Sequence, residues 1–222
     1  MRLNKLASLD YDNIEPWKII EAFNKAQIEW SRRGLHGNNL YHEGDESSKR
    51  RIDDFEILLT YDLSVEASDK INYYEVTVPS DYMDWKRISA LGSDDCCDKK
   101  KMIIYLAEQD NRDVLNRDHN YKPDFKWGET FATRASGKIQ IHTNNEFELS
   151  DIKLTYYRLP RRIQIAGVKN PYDGTVSTVD VLSEFRDDVI EIIIEEAVKI
   201  LAGDTESINQ FQRASQTIEQ NN

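Results

Sequence analysis

The sequence predicts an α+β protein. Helices from the two ends of the chain form a helical bundle, an antiparallel β-sandwich or barrel-like domain is inserted between them, and an extended arm follows at the C-terminus. Three observations carry this expectation. Apolar residues recur at helical spacing near both ends, the middle of the chain switches to strand-like alternation broken by turn residues, and the last stretch is polar with few apolar points. The corresponding boundaries are 1–62 and 180–203 for the bundle, 63–179 for the β domain and 204–222 for the arm.

The first helix is expected over about 13–33. Asp12 or Asn13 caps it, Pro16 suits its first turn, and Ile19, Phe23, Ala26 and Trp30 share one face. Gly34 would end it in a left-handed cap. A second helix is expected over about 46–60, capped by Asp45, with Ile52, Phe55, Leu58 and Leu59 as its apolar stripe. Its first half carries Lys49, Arg50 and Arg51, where positive charge is unfavourable unless an acidic neighbour or solvent answers it.

Alternation of Tyr74, Val76 and Val78 then marks a strand, with a turn at Pro79-Ser80-Asp81. Further strands are expected over Trp85–Leu91, Met102–Leu106, Thr130–Arg134, Lys138–Thr143, Phe147–Tyr157 and Arg161–Ala166. Ala135-Ser136-Gly137 reads as a hairpin turn, Asn144-Asn145 as the start of another, and Glu108–Asp118 as a short helix or an excursion. A linker, Val168–Asp180, precedes a helix over about 184–202 capped by Ser183 and ended by Gly203. Phe185, Val189, Ile190, Ile193, Ile194 and Ile200 lie on more than one face of it, so it must be covered on several sides. The segment Asp204–Asn222, with four glutamines and three asparagines, is either disordered or an arm that orders on a partner, anchored by Ile208, Phe211 and Ile218.

The 222 residues carry a net charge of −11, which argues against a broad nucleic-acid grip but suits a surface that DNA slides past. Cys96 and Cys97 are adjacent, so a reducing compartment is expected, with a strained vicinal disulfide as the alternative. Met1–Asp10 does not read as a signal peptide and no stretch approaches a membrane span, so a cytoplasmic origin is expected.

Catalytic patterns are missing. There is no phosphate-cradling loop, dinucleotide fingerprint or Gly-x-Ser-x-Gly elbow. His36, His42, His119 and His142 lack zinc-ligand spacing; His36 and His42 with Glu43 and Asp45 form either a loop metal site or, the favoured reading, a polar loop. Cys97 beside Lys99, Lys100 and Lys101 is a nucleophile only in principle. Arg161-Arg162 either meet an acidic partner or blunt a sheet edge. No enzyme activity, catalytic residue, metal or cofactor is expected.

Several stretches carry a resemblance. "AQIEWSRRGLHG" and "GDESSKRRIDDFEILL" within Trp17–Leu59, "KWGETF" at Lys126–Phe131, "LTYYRLPRRIQI" at Leu154–Ile165 and "EFRDDVIEIIIEEAVKILAGD" at Glu184–Asp204 resemble structural proteins of crAss-like phages. That class resembles ring proteins docking beneath the portal, and the architecture is similar to the tail tubular adaptors of short-tailed phages. The resemblance implies a homo-oligomeric, dodecameric ring in the virion tail, a head–tail connector that binds the portal protein and other tail ring proteins. Genomic DNA would pass through it without sequence-specific contact. It implies portal or subunit contacts at Ile208, Phe211, Arg213, Ile218, Lys49, Arg50 and Arg51. The alternatives are another tail ring protein, or a virion β domain binding a carbohydrate or receptor, with Trp85 and Trp127 stacking on sugar rings rather than serving as core or subunit contacts.

Overall fold

The computed structural model describes residues 14–36, 53–94, 97–169 and 174–204, a mixed α/β chain that divides into two compact units. The first unit joins the N-terminal part, through Ile57, to everything from Pro160 onward; the second is Leu58–Leu159. No helix among the described residues is long and apolar enough to cross a membrane.

In the first unit, α1 spans Pro16–His36 and buries Ala22, Ala26, Gln27, Ser31 and Leu35. Three of the four steps between them are of four residues and the other joins neighbours, which is the helical stripe that seeks cover. A helical turn at 53–55 leads into a 3-10 turn, Glu56–Leu58, and sets Phe55 against α1 with its ring 4.9 Å from that of Trp30. Phe185 meets the same indole edge-on at 5.2 Å. Gly34 lies inside α1 instead of ending it. A Cβ there would fall 2.1 Å from Phe55 Cζ, so glycine serves here to admit the phenylalanine ring. The last described helix, labelled α3, is Asp187–Asp204. It buries Val189, Ile193, Ala197, Val198, Leu201 and Ala202, while Ile190, Ile192, Ile194 and Ile200 remain half-buried. Arg33 of α1 pairs with Glu196 of α3 at 3.1 Å, and Glu196 is only 5% exposed. Burying that carboxylate costs free energy that the ion pair offsets.

The second unit is one eight-stranded sheet: β1 Leu59–Ser64, β2 Ala67–Lys70, β3 Tyr73–Thr77, β4 Tyr82–Asp94, β5 Cys97–Leu106, β6 Glu129–Ala135, β7 Lys138–His142 and β8 Glu148–Arg158. Their spatial order is β1-β8-β4-β5-β6-β7-β3-β2. The two outer strands, β1 and β2, follow one another in the chain with only Val65 and Glu66 between them, so the sheet must curl until its edges nearly meet. Bulges supply the bend. Register shifts occur at 60–63 in β1, opposite Gly92–Asp94 in β5 and near Ser89–Leu91 in the β4–β8 pair, where Asp62, Lys99 and Asp151 hold φ of 48°, 48° and 47°. The core fills the inside of the curl: Val76, Ile88, Met102, Ile139, Ile141 and Leu154 are buried there, with Val65 and Ala67 closing over it. Each such side chain contributes about 1.5–3 kcal/mol relative to exposure.

Neighbours in the sheet are antiparallel except β5 and β6, which run parallel. A parallel pair needs a crossover of a dozen or more residues. The stretch 107–128 provides it, carrying a 3-10 turn (Gln109–Asn111) and α2 (Arg112–Arg117). Of the expected sandwich or barrel-like domain, the barrel-like form is the one present: a single curled sheet bends round the core instead of two sheets facing each other. The β6–β7 hairpin turns at Ser136-Gly137 with both φ positive, 52° and 73°, the two-residue geometry whose twist matches the strands.

Three further expectations change. Of the helix expected over 46–60, 53–55 is α-helical and 56–58 a 3-10 turn, but 59–60 already belong to β1, while 46–52 and Asp45 lie outside the described residues. Arg161–Ala166 forms no strand, only an isolated bridge from Gln164 to Val181, and 160–179 belongs with the helices in the first unit. The helix expected from 184 starts at Asp187, so Ser183 lies upstream of it and its hydroxyl accepts from the Phe185 backbone N–H at 3.5 Å.

Candidate docking groove

Within the first unit, α1 reads the backbone of an extended segment. Asn24 closes a two-way contact with Ile163: its amide donates to the Ile163 carbonyl at 3.2 Å, and its oxygen accepts from the Ile163 N–H at 2.8 Å. Gln27, one turn along, donates to the Arg161 carbonyl at 2.7 Å. Two polar side chains on a helix thus do for 161–163 what a neighbouring strand would do. From there the chain runs out and back. Gln164 and Val181 exchange backbone hydrogen bonds at 3.1 and 2.9 Å, Gly167 N–H donates to Ser177 at 3.0 Å, and Lys169 bridges to Val176. Asp180 accepts from the Ala166 N–H at 2.7 Å and fixes the return arm.

Between this loop and α1 lies a groove of about 670 Å³. Its helix wall is Trp17, Ile20, Glu21, Asn24, Lys25 and Ile28. Its loop wall includes Arg162, Ile163, Ile165, Val168, Lys169, Val176 and Val179. Ile165, Val176 and Val179 are 46%, 53% and 61% exposed, and Leu182 just beyond them is 82% exposed. Glu21 pairs with Lys25 at 2.9 Å. Its charged lining is Glu21, Lys25, Arg162 and Lys169, set among apolar side chains.

The residues singled out from sequence are scattered. Ile208, Phe211, Arg213, Ile218, Lys49, Arg50 and Arg51 all lie outside the described residues, as do His42, Glu43, Asp45 and Cys96. Of Cys97 only the backbone is described, at the start of β5. His36 ends α1, and His119 is exposed after α2. No group of three or more histidine, cysteine, aspartate or glutamate side chains is placed to hold a metal among the described residues. The Arg161 guanidinium is 3.5 Å from Glu184, which also accepts from the Arg161 backbone N–H at 3.0 Å, so its acidic partner lies in the same unit. Arg162 lines the groove. The two tryptophans differ: Trp85 packs on the sheet core, whereas Trp127 is 77% exposed on a turn fixed by Asp124, whose carboxylate accepts from the Trp127 N–H at 3.0 Å.

On the outer face of the sheet, His142 is fully buried. Its ring stacks on Phe131 at 4.6 Å and its Nε2 lies 3.0 Å from Thr133 Oγ1. Burial, and secondarily the Arg112 guanidinium, push its pKa down to about 4. On the core side Tyr82 stacks on Tyr156 at 5.6 Å, and burial pushes the Tyr82 phenol up to about 12. Both groups are neutral at pH 7 and serve packing. Compared with known proteins, no family model matches the chain and no curated protein matches it.

Proposed function

We propose that this protein is a non-catalytic structural subunit of a phage head–tail connector, a ring that docks on the portal and lines the passage for DNA. The observation that carries the reading is the apolar surface between residues 165 and 182, where Ile165, Val176, Val179 and Leu182 stand in solvent beside an apolar groove. Exposed apolar surface of this kind marks a contact with another molecule. The half-buried isoleucines of α3 point the same way. In this reading α1, the 53–55 turn and α3 form the helical bundle, 204–222 is the arm, and Ile208, Phe211, Arg213, Ile218 and Lys49–Arg51 meet portal or neighbouring subunits. Repeated heterologous contacts close the ring in the virion tail, with twelve copies by the resemblance to tail adaptors. The net charge of −11 keeps DNA from sticking to the wall.

Native mass spectrometry of the chain, alone and with a crAss-like phage portal protein, tests the proposal. A closed ring or a portal complex is expected; a monomer under both conditions contradicts it. A second reading, a virion β domain that binds carbohydrate, is favoured by Trp127 alone, and loss of glycan-array binding on Trp127→Ala would support it.

A further inference from the structure

The groove along α1 has a shape, a length and a charge that restrict what can fill it. It follows α1 from Trp17 to Ile28, about 16 Å at 1.5 Å per helical residue. Its apolar lining is edged by three cations, Lys25, Arg162 and Lys169, against one acid, Glu21, in a chain whose net charge is −11. Glu21 is already paired with Lys25, which leaves Arg162 and Lys169 facing the groove with no ion-pair partner among the described residues. The complementary occupant is an apolar strip about 15 Å long with an acid beside it.

We propose that the occupant is the segment Thr205–Asn222 of a second copy of this chain. At 100° per residue Ile208, Phe211 and Ile218 fall on one side of a helix, and the ten steps from first to last span about 15 Å. On such a helix Glu219 falls on the same side as the strip and Glu206 on the opposite one, so Glu219 is the acid that can answer Arg162 or Lys169. Delivery by a second copy rests on the connector reading above and deepens it: each subunit gives its C-terminal segment to the next and receives one, a head-to-tail contact that a ring can close.

The test uses the full chain carrying Phe211→Asp, whose own segment is disabled and whose groove is intact. A fluorescent peptide of residues 205–222 is titrated into it and followed by anisotropy. Saturable binding is expected. Adding Val179→Asp, at a position 61% exposed and therefore tolerant of the change, should weaken it at least about tenfold. Reversing Arg162 and Lys169 to Glu should weaken it similarly, and a peptide carrying Glu219→Arg should regain it. No binding, binding that survives Val179→Asp, or a reversed pair that fails to recover overturns the proposal. A wild-type chain that forms rings while failing these titrations leaves the connector reading standing and removes this occupant. A chain that passes them yet never closes a ring does the reverse.

Discussion

His142 provides a pH-dependent stability that can be worked out from its surroundings. The ring is sealed between Phe131 and the crossover, 0% exposed. Only Nε2 has a hydrogen-bond partner among the described residues, at Thr133, and Nδ1 has none. Arg112, whose guanidinium lies 6.0 Å from the Tyr73 ring on the same face, opposes a second positive charge there. The folded chain therefore holds the imidazole neutral down to about 4, whereas the unfolded chain protonates it near 6.5. Because the folded value is the lower one, the contribution is complete above pH 6.5 and is lost as the pH falls from there through about 4. At about 1.4 kcal/mol per pH unit the loss is roughly 3 kcal/mol. Urea unfolding of the wild type and of His142→Gln at pH 7 and pH 4 isolates it. The variant starts lower, by roughly 0.5–1.5 kcal/mol for the lost stack on Phe131, and should lose less on acidification by roughly 3 kcal/mol. Equal acid losses in the two proteins would refute the reasoning, since they would mean that the histidine is charged or solvated in the fold.

Three other substitutions probe the packing. Gly34→Ala, normally stabilising in a helix by about 1 kcal/mol, should here destabilise by about 1–3 kcal/mol in urea unfolding, because its Cβ would sit 2.1 Å from Phe55 Cζ. Gly92→Ala meets the flexible Met102 side chain, whose sulfur is 2.8 Å from the new Cβ, and should cost less than Gly34→Ala in the same assay. Glu196→Gln leaves the Arg33 guanidinium without its counter-charge; because Arg33 remains partly exposed, the cost should be about 1–3 kcal/mol by thermal or urea unfolding, below that of a wholly buried pair.

What was legible in the sequence was local. The alternation of Tyr74 and Val76, the Ser136-Gly137 turn and the two long helices follow from spacing and turn chemistry, and they form where expected within a few residues. What was illegible depends on distant partners. Phe55, Leu58 and Leu59 have helical spacing, yet Leu59 pairs with Tyr157 across nearly a hundred residues and starts a strand. The parallel union of β5 with β6 leaves no trace in either strand. The groove escaped for the same reason: Arg161–Ala166 looks like a strand, but its partner for hydrogen bonding is Asn24 and Gln27 on a helix. A signal was present, since these two polar residues stand at a spacing of three, Asn24 beside the buried stripe of α1 and Gln27 within it. His142 carried no signal in the spacing of histidines, and only its neighbours in the sheet show why it stays neutral.

Cryo-electron microscopy of a virion that carries this chain tests the assignment most directly. The connector reading expects its density as a closed ring directly beneath the portal, with Ile165, Val176, Val179 and Leu182 covered by neighbouring molecules. Virions assembled without it, or a copy in the virion whose 165–182 surface still faces solvent, would contradict that reading.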